Sequence, residues 1–233
     1  MTAASVAAVV AAAGRGDRLG GDVPKAFRPL GGLPMVAHAV AALAAAPSVD
    51  LVVVAVPPTH VGRAESLLVG HHGGASLRVV EGGGSRHESV AQALAVLPTS
   101  VEVVLVHDAA RPLVPVALVE SVVAAVRGGA SAVVPGVPVA DTIRRVSGEA
   151  AEGIVDRSTL RAMQTPQGFV REVLDRAYGS GADLGAVTDD AALVEALGVA
   201  VTVVGGSPEA FKVTAPLDLL LAEAVLASRG AAL

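Results

Sequence analysis

Fifteen arginines and only two lysines, Lys25 and Lys212, supply the cationic side chains of this 233-residue chain. Surface lysines exchange readily for arginine, so the two that remain mark positions where a compact ammonium serves and a guanidinium fork does not; chance survival is the competing explanation. Lys25 closes a loop that begins Ala12, Ala13, Gly14, Arg15, Gly16, Asp17, Arg18 and runs on to Pro24. Glycines directly after a buried strand let backbone N–H groups approach a phosphate chain. Arg18 and Lys25 add two positive charges to that loop. The pattern is neither a P-loop, because Ala26 follows the lysine, nor a dinucleotide fingerprint, because the third glycine comes one residue late. A solvated turn whose cations only aid solubility is the plainer alternative.

A second cluster is Gly82, Gly83, Gly84, Ser85, Arg86, His87, Glu88, Ser89. Ser85 with Glu88 forms a capping box that opens a helix. The triple glycine exceeds what a cap needs and lets backbone amides and carbonyls reach the edge of a flat base, with Ser89 as a partner. A third cluster is His107, Asp108, Ala109, Ala110, Arg111, Pro112: an acid at a strand tip with a cation three residues on. It reads either as a polar cluster at an active edge or as an Asp108–Arg111 pair that fixes the turn, and an exposed pair of that kind is worth about 0 to 1 kcal/mol. Thr188, Asp189 and Asp190 suit a helix start, with Thr188 as the cap. Lys212 precedes the start of the last helix. His38, His60, His71 and His72 have no ligand spacing and read as structural or surface residues.

These residues need a frame. Short apolar runs at 6–11, 51–56, 77–80, 101–106, 132–134 and 200–204 read as strands covered on both faces. Helical patterns at 35–45, 61–69, 87–97, 116–126, 171–178, 189–197 and 217–227 alternate with them. The expected fold class is therefore α/β, a single domain over residues 1–233 with a doubly wound, mostly parallel sheet and ligands beyond the C-terminal ends of its strands. Residues 139–159 break the rhythm and read as a protruding β-arm. A lone ribbon is marginal in water, so it is expected to pack on a second copy, giving a homodimer.

Composition bounds the function. Hydrophobic residues make up 52% and aromatics 2%, with a formal net charge of −5. Stacking platforms and a basic surface for nucleic acid are thereby disfavoured. Any polyphosphate must be held by a few placed cations and by backbone N–H groups. With no cysteine, thiolate metal sites and a cysteine nucleophile are excluded. Every apolar run is interrupted before about 18 residues, so no membrane span is expected. The first run lacks a basic leader, which points to a cytoplasmic chain.

In this order the motifs resemble those of the bacterial 2-C-methyl-D-erythritol 4-phosphate cytidylyltransferases of the non-mevalonate isoprenoid pathway. The likeness extends over about residues 6–227. It includes the first loop with its Pro-Lys end, the Gly-Gly-x-x-Arg-x-x-Ser-Val segment and the His-Asp-Ala-Ala-Arg-Pro strand end. It further includes Asp141-Thr142, Val155-Asp156-Arg157, Gln164-Thr165-Pro166-Gln167, Thr188-Asp189 and Lys212-Val213-Thr214. The resemblance implies a Rossmann-like nucleotidyltransferase fold that condenses CTP with a small polyol phosphate and releases pyrophosphate. It implies catalytic roles for Arg18 and Lys25 at the α-phosphate. Backbone around Ala12, Ala13, Gly14, Gly16 and Gly83, with Ser89, would bind the nucleotide. Asp108, Arg111, Thr142, Arg157, Thr188 and Lys212 would bind the acceptor, Thr142 and Arg157 by reaching across a dimer. The implied cofactor is Mg²⁺, held mainly by the CTP phosphates, with no protein ligand named. Gly84 departs from a position often polar or acidic in relatives. A ribitol-5-phosphate cytidylyltransferase is the near alternative, and a non-catalytic nucleotide-binding dimer is the distant one.

Overall fold

A computed structural model describes residues 5–14, 23–180 and 189–230. Its strands are β1 (Ser5–Ala11), β2 (Pro29–Leu30), β3 (Leu33–Pro34), β4 (Leu51–Val56), β5 (Ser76–Glu81), β6 (Val101–Asp108), β7 (Ala132–Pro138), β8 (Ile143–Ser147), β9 (Ala150–Val155), β10 (Arg161–Met163), β11 (Gln167–Val170) and β12 (Thr202–Gly205). The α-helices are α1 (Met35–Ala44), α2 (Val61–Leu68), α3 (Arg86–Ala95), α4 (Val116–Arg127), α5 (Arg171–Gly179), α6 (Asp190–Glu195) and α7 (Pro216–Gly230).

The main sheet runs β10-β7-β11-β6-β1-β4-β5, with β12 also paired to β7. β1 is parallel to β4 and β6, β4 to β5, and β7 to β12. β10 and β11 are antiparallel to their neighbours. The mostly parallel α/β expectation holds, and β11 is the surprise inserted between β6 and β7. Its four residues, Gln-Gly-Phe-Val, hold only two large apolar side chains, too weak a run to announce a buried strand.

Alternation along β1 shows why the apolar runs had to be continuous. Val6, Ala8 and Val10 enter one core with Val36, Val40 and Leu43 of α1, Leu68 of α2 and Val122 of α4. Ala7 and Val9 enter the opposite core with Val90 and Leu94 of α3, Leu174 of α5 and Leu193 of α6. Side chains of a strand alternate between faces, so helices on both sides demand apolar residues at every position. Each fully buried Val or Leu contributes about 1.5–3 kcal/mol relative to exposure. A smaller cluster of Leu30, Met35, Leu113, Val213 and Ala222 seats α7 against the β2–β3 hairpin. Among the described residues no helix is long and apolar enough to cross a membrane.

β8 and β9 form a separate antiparallel ribbon. Arg144 pairs with Ile154 and Arg145 with Glu152, which leaves Gly153 unopposed. Gly153 lies at φ +52°, so this extra residue makes a bulge in a conformation that suits glycine. No residue of either strand joins a core cluster, and Val146 and Ile154 are each 66% exposed.

Candidate active site

In an open parallel sheet a crevice forms where the strand order reverses. Here that point lies between β1 and β6: β4 and β5 extend to one side of β1, and β6 lies on the other. Ala11 and Asp108 are partners at the two strand ends. Beyond them opens a cavity of about 220 Å³ lined by Ala11, Ala12, Ala13, Gly14, Lys25, Ala26, Arg86, Ser89, Asp108, Ala109, Ala110 and Lys212. Beside it a second space of about 180 Å³ is lined by Arg86, Asp108, Arg111, Met163, Gln164, Thr165, Gln167, Asp189 and Lys212. A wider groove of about 590 Å³ runs from Ala13 and Gly14 along Pro57–His60 to residues 82–86. Arg86, Asp108 and Lys212 border both smaller spaces.

Lys25 begins a single helical turn, Lys25–Phe27, whose Ala26 and Phe27 are buried. Phe27 leans on the His60 ring at 4.9 Å, and the Arg63 guanidinium lies 5.5 Å above its centre. The aromatic anchor thus fixes the lysine at the cavity wall. The first loop's Arg18 and Gly16 lie outside the described residues, as does Thr188.

The glycine loop is tightly used. The Gly82 N–H donates to Val56 O at 2.7 Å, Gly83 N–H to Ser89 Oγ at 3.1 Å, and Gly84 N–H to Glu88 Oε2 at 2.7 Å. All three amides are committed, so carbonyls rather than amides are what this loop presents to a base. A Cβ on Gly82 would lie 2.6 Å from Ala13 Cβ, and one on Gly83 would lie 2.3 Å from Glu88 Cβ. Close packing, not a left-handed turn, requires glycine there. Ser85 caps α3 as expected by accepting from Glu88 N–H. The reciprocal arm of the box is displaced: Glu88 reaches Gly84, not Ser85. Ser89 is buried and donates its O–H to Ser85 O at 2.8 Å, so it can only accept from a ligand.

Asp108 is gripped from two sides. Arg86 Nε donates to its Oδ1 at 2.8 Å, and Lys212 Nζ lies 2.7 Å from Oδ2. Burial alone would raise its pKa, but the two cations overcome that and hold the carboxyl far below the usual carboxylate range. Arg86 Nη1 also lies 2.7 Å from Asp190 Oδ2, whose side chain is fully buried. Burial opposes the Arg86 charge, yet Asp190 and Asp108 outweigh it and raise its pKa. The Asp108–Arg111 pair that the spacing offered does not form. Arg111 donates instead to Ala210 O at 2.7 Å and Met163 O at 3.2 Å, and burial lowers its pKa from the ordinary value. Val213 N–H donates to Ala110 O, which pins the segment bearing Lys212.

Behind Asp108, Thr165 Oγ1 accepts the Asp108 N–H at 3.1 Å and lies 2.9 Å from His107 Nδ1. His107 Nε2 lies 3.1 Å from Arg111 O. Burial pushes His107 down to about 4, so the ring is neutral. It then donates from Nε2 to the carbonyl and accepts the threonine hydroxyl at Nδ1. Gln167 Nε2 donates to Asp189 Oδ2 at 2.7 Å and Gln167 Oε1 accepts from Ala191 N–H. The cap of α6 is Asp189, which accepts from Ala192 N–H, not Thr188.

Of the expected site residues, Ala12, Ala13, Gly14, Lys25, Ser89, Asp108 and Lys212 meet at the first cavity. Gly83 lines the adjoining groove and Arg111 the second space. Thr142 and Arg157 are not brought there within one chain. Arg157 lies on the arm side and donates to Ala140 O. Arg86, His107, Thr165, Gln167 and Asp190 stood inside the sequence motifs but were given no site role there, because their partners lie on other elements. His38 and His72 each hydrogen-bond a backbone carbonyl at 2.7 Å, as structural residues would.

Comparison with known proteins places this geometry in context. A family model described as 2-C-methyl-D-erythritol 4-phosphate cytidylyltransferase matches residues 6–228. A protein of that name from Streptomyces coelicolor is 56% identical over 235 residues, covering 97% of this chain and 86% of its own length. Another from Nocardia farcinica is 51% identical over 231 residues, covering 97% and 96%. The crystal structure of the Thermus thermophilus protein of that name superposes with a TM-score of 0.77 at 38% identity, covering 95% of this chain and 98% of the other.

Proposed function

The chain belongs to the 2-C-methyl-D-erythritol 4-phosphate cytidylyltransferase family, and from that premise we propose that it joins CTP to 2-C-methyl-D-erythritol 4-phosphate. A phosphate oxygen of the acceptor attacks the α-phosphorus of CTP. The bond from that phosphorus to the β-phosphate oxygen breaks, and pyrophosphate leaves. Products are 4-diphosphocytidyl-2-C-methyl-D-erythritol and pyrophosphate. The nucleophile needs no general base, because a phosphate monoester has lost most of its second proton near pH 7, with a second pKa of about 6. The difficulty is bringing one anion to another, so catalysis rests on positioning and compensating charge.

The observation that carries this reading is the crevice between β1 and β6, where the Ala12–Gly14 backbone, Lys25, Arg86 and Lys212 surround one space around a single ionised acid. Lys25, with Arg18 earlier in the same loop, compensates the charge growing on the α-phosphate. The carbonyls of the Gly82–Gly84 loop accept the amino group of cytosine, and Ser89 accepts from the nucleotide. On the other side Asp108 accepts acceptor hydroxyls while Lys212 and Arg111, with Thr188, bind its phosphate end.

Mg²⁺ would enter with the triphosphate. Among the described residues no three His, Asp or Glu side chains gather to hold a metal. Asp108 has both oxygens engaged by cations. The chain's described donors thus do not form a cage of their own, and none of the steps above passes through the ion.

The exposed arm is read as the contact with a second copy, forming a homodimer in which Thr142 and Arg157 of each chain complete the other's acceptor site. Support comes from its apolar pair, Val146 and Ile154, left open to solvent. A coupled pyrophosphate-release assay tests the function. CTP with the methylerythritol phosphate should turn over, while ATP, GTP and UTP should not. Preference for ribitol 5-phosphate in place of the methylerythritol ester would move the chain to the neighbouring activity. Absence of turnover with every pairing would refute the reading.

A further inference from the structure

We propose that Arg86 is a positioning residue for the acceptor: it fixes Asp108 from the nucleotide side of the crevice and anchors it to α6 through Asp190. The inference rests on the cytidylyltransferase reading and assigns a residue to which the family motif gave no task.

Arg86 is the first residue of α3, directly after the glycine loop. Its Nε donates to Asp108 and its Nη1 meets Asp190 on the far side. A planar fork can serve two carboxylates at once in fixed directions; an ammonium is a point charge on a flexible stem. The far carboxylate does not move freely, since its side chain is fully buried and Tyr178 donates its hydroxyl to the other oxygen. An exposed ion pair would explain little. This one connects the first residue of α3, next to the glycine loop, to an acid that borders both small spaces.

The consequence for Asp108 is geometric. Arg86 takes Oδ1 and Lys212 takes Oδ2, so the plane of the carboxylate is set by two cations, one on α3 and one on the segment before α7. Each oxygen keeps a further lone pair for a polyol hydroxyl. Arg86 and Lys212 with Asp108 and Asp190 sum to zero charge. The acid therefore offers acceptors without repelling an anionic substrate. Arg86 also borders both small spaces, and so forms part of the wall between nucleotide and acceptor.

The test is a double-mutant cycle between Arg86→Gln and Asp108→Asn, read as kcat/KM for the methylerythritol phosphate at saturating CTP. Arg86→Gln alone should lower that value about tenfold or more, mainly through acceptor KM, with CTP KM changed less than about threefold. In the Asp108→Asn background the same substitution should add less than about threefold, because its route to the acceptor is already gone. Arg86→Lys should recover part of the loss and not all of it. If Arg86→Gln does not fold, since it leaves Asp190 buried and unpaired, the cycle is run with Arg86→Gln/Asp190→Asn against Asp190→Asn. An undiminished effect in the Asp108→Asn background, equal losses for both substrates, or no loss at all would overturn the role of Arg86. Wild-type turnover accompanying such a result leaves the function standing; a wild-type enzyme without turnover overturns both.

Discussion

Asp108 and His107 are neighbours in sequence with opposite fates. Both are buried, and burial disfavours charge in each. Asp108 stays ionised because Arg86 and Lys212 meet its two oxygens. His107 has only a hydroxyl and a carbonyl, so it stays neutral with a pKa of about 4. This sets a pH dependence of stability. The unfolded histidine binds a proton near pH 6.5 and the folded one resists until about pH 4, so stability is complete above pH 6.5 and is lost as pH falls through that window. The loss should approach about 3 kcal/mol near pH 4. Asp108 acts in the same direction but only below about pH 4, where its unfolded form protonates. Urea unfolding from pH 7 to 4.5 should show the slope, and His107→Gln should flatten it; equal slopes would remove His107 as the cause. At the same scale, Lys212→Ala should raise acceptor KM by about tenfold or more with kcat much less affected. Steady-state kinetics in both substrates checks it, and an unchanged KM would take Lys212 out of the acceptor pocket. Lys25, Asp108 and Lys212 were legible as candidates because a rare lysine and a strand-tip acid are conspicuous. Partners were not: Asp108 meets Arg86, 22 residues upstream, rather than Arg111 three residues on. Such pairing depends on which strand and helix ends converge.

At the scale of elements, the glycine loop and α3 form one unit. Glu88 curls back to Gly84, Ser89 ties Gly83 to Ser85, and the helix starts with Arg86 aimed across the crevice. The glycines are unequal. Gly83→Ala places a methyl 2.3 Å from Glu88 Cβ, whereas Gly84→Ala meets only the Glu88 carboxylate oxygen, at an ordinary 3.4 Å. Gly83→Ala should lower thermal stability by about 1–3 kcal/mol through overpacking and weaken CTP binding, and Gly84→Ala should be near neutral in both. Calorimetry and CTP titration of the two variants check this; equal behaviour would show that the loop is not packed as described. The capping box was readable from Ser85 and Glu88. Its displaced second arm was not, because a one-residue shift in a side chain's reach leaves no mark in a pattern. β10 and β11 escaped for a related reason: with three and four residues, they are held by neighbours in the sheet rather than by periodicity of their own.

For the molecule as a whole, the apolar runs declared a two-sided sheet because only helices on both faces require apolar residues without alternation. They also placed the chemistry at the strand ends. What they leave outside both cores is the arm. If Arg157 serves the partner's site, Lys25→Ala and Arg157→Ala proteins should complement each other. Each is defective alone, but a mixed dimer holds one doubly altered site and one intact site. Subunits exchanged at equal amounts should recover about a quarter of wild-type turnover, the share expected for a two-fold pair. No recovery, with exchange verified by sedimentation, would place Arg157 outside the partner's site. The most direct measurement is single-turnover transfer by Lys25→Ala, compared with its CTP dissociation constant. The rate should fall by about 10²–10³, as for loss of a charge-stabilising donor, while CTP affinity changes less than about threefold. An affinity that falls as far as the rate, or a rate that does not fall, would contradict a crevice built to stabilise charge during transfer.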